Sequence, residues 1–186
     1  VGADFARAVG VQDGNLEKLR AELRQNLERE MRNRIKAQVK ERVMQVLLDA
    51  TEVTLPKALV TREITRLRDA ALEELASRAQ QKPDMVLPDH LFEEQARRRV
   101  ALGLILSELV NREQLTAKSE QIRAVIEDMS SAYEHPEEIV RWYYQQPQRL
   151  REIEALVLED NVVEWVCSRA KTEELHTPFE QLAGQR

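Results

Sequence analysis

Four of the five glycines in this chain, Gly2, Gly10, Gly14 and Gly184, lie close to its ends, and Gly103 alone stands between them. A chain with so few breakers, and so much Glu, Arg, Leu, Ala and Gln, is driven towards an all-α fold. The six prolines, at 56, 83, 88, 136, 147 and 178, then set the joints, because proline is tolerated in the first turn of a helix and expelled from its interior. The pattern predicts helices over about 15–50, 56–80, 89–113, 117–133, 136–146 and 147–171, the first opened by Asn15 as N-cap after an Asp13-Gly14 turn. Residues 51–56 read as a short extended connector. Residues 172–186 read as a loosely attached tail with a last turn around TPFEQL.

In the first long helix Leu19, Leu23, Leu27, Met31, Ile35, Val39, Val43 and Leu47 follow one another at a strict interval of four. At about 100° per residue each step overshoots a turn by about 40°, so the apolar line winds about 280° around the helix. That disfavours a two-stranded zipper, which needs alternating steps of three and four. It predicts a spine of about 50 Å that meets different partners at different heights. The helix over 56–80 carries an ordinary seam, Val60, Ile64, Leu67, Ala71 and Leu75, and is expected to pair antiparallel with the next through QQKPDMVLP. Seven apolar residues in a row, Val100 to Leu106, point all around the third helix, which is expected to be enclosed by other helices. Gly103 would then mark the closest approach of one of them.

One third of the residues are charged, with both signs mixed and a net charge of −5, which argues against a general binder of nucleic acid or anionic membrane. The run Arg97, Arg98, Arg99 fans over about 200° of the helix and is read as ion-paired with acidic neighbours rather than as a basic stripe. No stretch reaches the length of a membrane span. Cys167 is the only cysteine, so no intrachain disulfide exists, and its apolar surroundings suit a buried small side chain. His90, His135 and His176 are far apart and lack partners at metal-ligand spacing. No phosphate loop, nucleophile elbow or dinucleotide fingerprint occurs. No catalytic residue, metal site or cofactor is assigned.

The aromatic side chains are the one constellation that departs from plain scaffolding. Of eight, Tyr133, Trp142, Tyr143 and Tyr144 fall inside MSSAYEHPEEIVRWYYQQP, on a short helix bounded by Pro136 and Pro147. Two readings stay open: a core cap, or an adaptable binding surface including Met129 and Ile139. Successive side chains diverge by about 100°, so Trp142, Tyr143 and Tyr144 cannot all face inward, and at least one is expected to be exposed.

The segments DFARAVGVQDGNLEKLRAELRQNLERE, LPKALVTREI, LFEEQARRRVALGLILSELV and MSSAYEHPEEIVRWYY stand in an order that resembles the C-terminal, substrate-binding domain of the trigger factor family, ribosome-associated bacterial chaperones. The resemblance implies a single elongated all-helical domain over 1–186: a spine over about 14–50, two protruding helical-hairpin arms over about 55–111 and 116–165, and a tail over 172–186. It implies a cytoplasmic cradle for unfolded or nascent polypeptides that needs no ATP or metal. By position it assigns client contact to Met129, Tyr133, Ile139 and Trp142 in one patch and to Leu59, Ile64 and Leu67 in another. Tyr143 joins the first patch on the physical argument alone. The family's ribosome-docking segment and prolyl isomerase domain have no counterpart in these residues. The resemblance therefore implies no enzyme activity for this stretch, and ribosome contact only through a domain it does not contain.

Small apolar patches within a charged surface suit such a holdase, because they bind many unfolded sequences weakly and keep the complex in solution. Weak self-association is compatible with them. The competing readings are a rigid helical adaptor for one folded partner, and a periplasmic chaperone with a similar helical core.

Overall fold

A computed structural model of the chain describes residues 2–8, 10, 13–79, 87–131, 133 and 135–184. They form α1 (Ala3–Ala8), α2 (Leu16–Ala50), α3 (Lys57–Ala79), α4 (His90–Arg112), α5 (Ser119–Ser130), α6 (Pro136–Gln145), α7 (Pro147–Arg169) and α8 (Phe179–Gly184), with no strand among the described residues. The fold is all-α. Residues 80–86 of the expected α3–α4 connector lie outside the described residues. The chain divides into two compact units, residues 1–42 with 172–186, and residues 43–171.

In the first unit, the side-chain oxygen of Asn15 accepts the backbone N–H groups of Glu17 and Lys18 at 2.9 and 3.2 Å, the N-cap expected from the sequence. Gly14 holds φ +68°, and a Cβ there would lie 3.2 Å from Ala3, so both the turn and the close approach of α1 require glycine. That approach seals Ala6 against Leu19 and Leu16. Helix α1 was not foreseen: six residues are too few to show a period, and its place depends on one alanine under Leu19. Helix α8 realises the turn expected around TPFEQL, and its Leu182 carbonyl accepts the Arg34 guanidinium at 2.8 Å.

The apolar line of α2 is buried at Leu19 and again at Val43, but Leu23, Leu27, Ile35 and Val39 between them are exposed. A winding line cannot keep one face against one neighbour. The expectation of partners at several heights therefore holds only at the two ends.

In the second unit, α3 and α4 pack through Val60, Leu67 and Ala96, with Leu55, Ile64, Phe92 and Val100 around them. Glu63 reaches Arg99 at 3.4 Å and Arg68 reaches Asp89 at 2.8 Å, so the later residue of α3 meets the earlier one of the next helix and the pair is antiparallel, as expected. The arginine run fans as the helical period demands. Arg97 faces Glu93 at 3.9 Å, Arg98 donates to the Gln45 side chain at 2.5 Å, and Arg99 turns to Glu63.

The expectation for Val100–Leu106 is corrected. Ile105 is buried, yet Leu102, Leu104 and Leu106 are only half-buried, and a Cβ on Gly103 would meet nothing within 4 Å. Among the described residues helix α4 packs against α3 and α7 and reaches α2 through Arg98, and these neighbours do not enclose it. Gly103 lies on the side they leave open.

Candidate functional site

Helices α5, α6 and α7 share a core of Ile122, Ile126, Ile153 and Val157, closed by Ala117, Val125, Val140, Tyr143 and Leu150. This core decides how the aromatic cluster is presented. Proline opens both α6 and α7, and the residues before them, His135 and Gln146, are held out of the helical region (ψ 77° and 94°) as a following proline requires. The two corners fix a ten-residue helix whose orientation depends on what it buries.

Val140 and Tyr143 provide that burial and define the inward side of α6. At about 100° per residue, Ile139 then lies about 70° to one side, Tyr144 about 70° to the other, and Trp142 about 130° away. Exposure follows this geometry for Trp142 and Tyr143, while the two flanking positions differ from each other. Trp142 is 42% exposed and Tyr144 46%, while Ile139 and Tyr143 are half-buried. Trp142 and Tyr143 touch edge to face with ring centroids 5.1 Å apart, so the inner ring buttresses the outer one. The Arg149 guanidinium lies 6.0 Å from the Trp142 ring and pairs with Glu152 at 3.2 Å.

Met129 and Tyr133 are also exposed, at 44% and 59%. The sequence placed both in one helix to about 133, but α5 ends at Ser130. The buried Ser130 hydroxyl donates to the Ile126 carbonyl at 2.6 Å and Ser131 to the Asp128 carbonyl at 2.7 Å, side-chain bonds that compete with a further helical turn. Tyr133 therefore stands beyond the helix end, its N–H on the Ser130 carbonyl at 3.0 Å. The surface around these residues is charged. On α5, the Glu127 carboxylate accepts Arg123 at 2.7 Å and holds the guanidinium pKa above its ordinary value.

The second group of expected contact residues does not form a surface. Leu59 is exposed, Ile64 is half-buried against Val60 and Leu67, and Leu67 is buried in the α3–α4 core. The cause is the α3 seam itself, since Val60, Ile64 and Leu67 share the stripe that faces α4. Two exposed apolar features lie outside the expected contact set: Tyr144, and the middle of the α2 line, where the spacing leads one to expect partners at several heights. The latter borders an open trough of about 970 Å³ within the first unit, along Glu17 to Ile35.

Among the described residues no group of His, Cys, Asp and Glu could hold a metal ion, and no helix is long and apolar enough to cross a membrane. A polar recess beside α7 is occupied by its own bonds. Asn161 donates to the Thr116 carbonyl at 3.0 Å and accepts Gln121 at 2.7 Å, and Arg169 covers Trp165 at 4.5 Å.

Residues 15–168 match the family described as the C-terminus of bacterial trigger factor protein. The chain is 51% identical to a trigger factor of Laribacter hongkongensis and 50% identical to one of Azoarcus sp., in each case over 99% of its own length and 42% of the relative's. A trigger factor of Dechloromonas aromatica is 48% identical with the same coverage. The chain thus spans about two-fifths of the length of the relatives it matches.

Proposed function

The chain belongs to the trigger factor family, over the C-terminal part of that family, and from this premise we propose that it is an ATP-independent holdase for unfolded or nascent polypeptides. One observation carries the reading. Met129, Trp142 and Tyr144 expose large side chains on helices whose other faces are occupied by a core, and Tyr133 exposes its ring just beyond the end of α5. Folding has used Tyr143 and Val140, and the outer ring of the pair is left for something else. Unbranched Met129 adapts to varied partners, and the rings bury much area with little loss of rotamer freedom. The contact set we propose is Met129, Tyr133, Ile139, Trp142 and Tyr144, with Tyr143 as its buttress. Leu59 is the member of the α3 group open to a client.

The same reading takes α2 as the spine, α3–α4 and α5–α7 as arms of one domain, and the cytoplasm as the site of action. It gives these residues no enzymatic step, and ribosome contact only through parts of the longer relatives that they do not match. The test is suppression of aggregation of a chemically unfolded protein, without nucleotide, by the folded chain in near-stoichiometric amount. Suppression supports the holdase. Sound folding with no suppression, and tight one-to-one capture of a single folded protein, would replace it with the adaptor.

A further inference from the structure

The trough along α2 is lined by Leu23, Leu27, Met31 and Ile35, edged by both signs of charge, Arg20, Arg24 and Arg32 with Glu17 and Glu28, and closed from outside the helix by Phe179 of the tail. Phe179 remains 49% exposed there and Leu175 66%, so the tail covers the trough only in part. Among the described residues a polar clip also fastens it. The Arg34 guanidinium donates to the Leu182 carbonyl at 2.8 Å while its other nitrogens grip Glu30 at 2.6 and 3.0 Å. Residues 171–178 are exposed and not helical, and within the segment EELHTPFEQL they lead Phe179 up to the apolar floor of the trough.

We propose that residues 172–184 are a displaceable strap on the α2 trough, an internal stand-in for an extended apolar polypeptide segment, which takes the trough when Phe179 leaves it. This rests on the holdase reading for the identity of the competitor. Partial occupancy is the essential feature. Among the described residues a half-exposed aromatic and the Arg34–Leu182 clip fasten the tail, and they leave the apolar floor of the trough partly open to a competitor. The residues lining the trough are distinct from the aromatic patch of α5 and α6.

The experiment observes the methyl resonances of Leu23, Leu27 and Ile35, and separately that of Met129, in the full chain and in Phe179→Ala. The probe is a synthetic peptide reproducing residues 172–184. Phe179→Ala should shift the Leu27 and Ile35 methyls with no peptide present, and should bind the peptide about fivefold more tightly than the unaltered chain, the effect of freeing one half-buried ring. The peptide should leave Met129 unmoved. Unmoved α2 methyls in Phe179→Ala, or equal peptide affinity for the two chains, would overturn the strap. An unfolded protein, reduced and carboxymethylated α-lactalbumin, is the parallel probe: movement of Met129 reports on the holdase reading independently, and absence of it with the peptide results intact would remove that reading and leave the peptide groove.

Discussion

Trp142 and Tyr143 meet edge to face at 5.1 Å, one ring turned to solvent and the other onto Ile122, Ile126, Ile153 and Val157. Adjacent residues of one helix thus have opposite tasks, and substitution should separate them. Tyr143→Ala is expected to cost about 1–3 kcal/mol by emptying a half-buried site, whereas Trp142→Ala should cost less than about 1 kcal/mol. Urea unfolding of the two variants checks this. Equal costs would place Trp142 in the core.

Leu67, 8% exposed between α3 and α4, is expected to behave as core. Leu67→Ala should destabilise by about 2–4 kcal/mol, with client contact at Met129 unchanged in folded protein. Denaturant midpoints and the Met129 methyl signal report the two effects.

Gly103 lies on an open side of α4, where a Cβ meets nothing. Gly103→Ala should therefore stabilise by about 0.5–1 kcal/mol through helix propensity alone. A loss of stability on thermal unfolding would restore the close helix approach that the apolar run suggested.

Glu63 couples the acid limb of stability to the α3–α4 pair. Its carboxyl is held below the usual 4.5, first by the hydrogen bond from Arg66, then by the charges of Arg66 and Arg99, against burial, which acts the other way. A carboxyl with a lower pKa folded than unfolded stabilises fully above the unfolded value and loses that contribution as pH falls through the folded one. Between neutral pH and about 5 the contribution should be constant, and below 4.5 it should decline. Glu63→Gln should flatten this part of the stability profile, measured by urea unfolding against pH.

Helix positions were legible in the sequence because proline and glycine act locally. Pro136 and Pro147 cut the chain where the structure cuts it, and Asn15 caps α2 through its own side chain. Long-range neighbours were not. The run Val100–Leu106 looks fully enclosed from composition, but only packing decides that α3 and α7 leave Gly103 open. The exposure of one ring among Trp142, Tyr143 and Tyr144 followed from helical period; which ring faces inward depended on a core assembled from α5 and α7. The end of α5 turned on two serine hydroxyls, whose back-bonding leaves no mark in a hydrophobic pattern. The middle of α2 was misread because a four-residue interval shows an apolar line without showing whether anything covers it.

The central claim is that the outward rings beside α5 and α6 bind unfolded chains and do little for the fold. Its most direct test is titration of reduced, carboxymethylated α-lactalbumin with the chain and with Trp142→Ala/Tyr133→Ala, alongside thermal melts. The account predicts affinity about tenfold weaker with a melting temperature within about 3 °C of the unaltered chain. Unchanged affinity, or a large fall in melting temperature accompanying the loss, would contradict it.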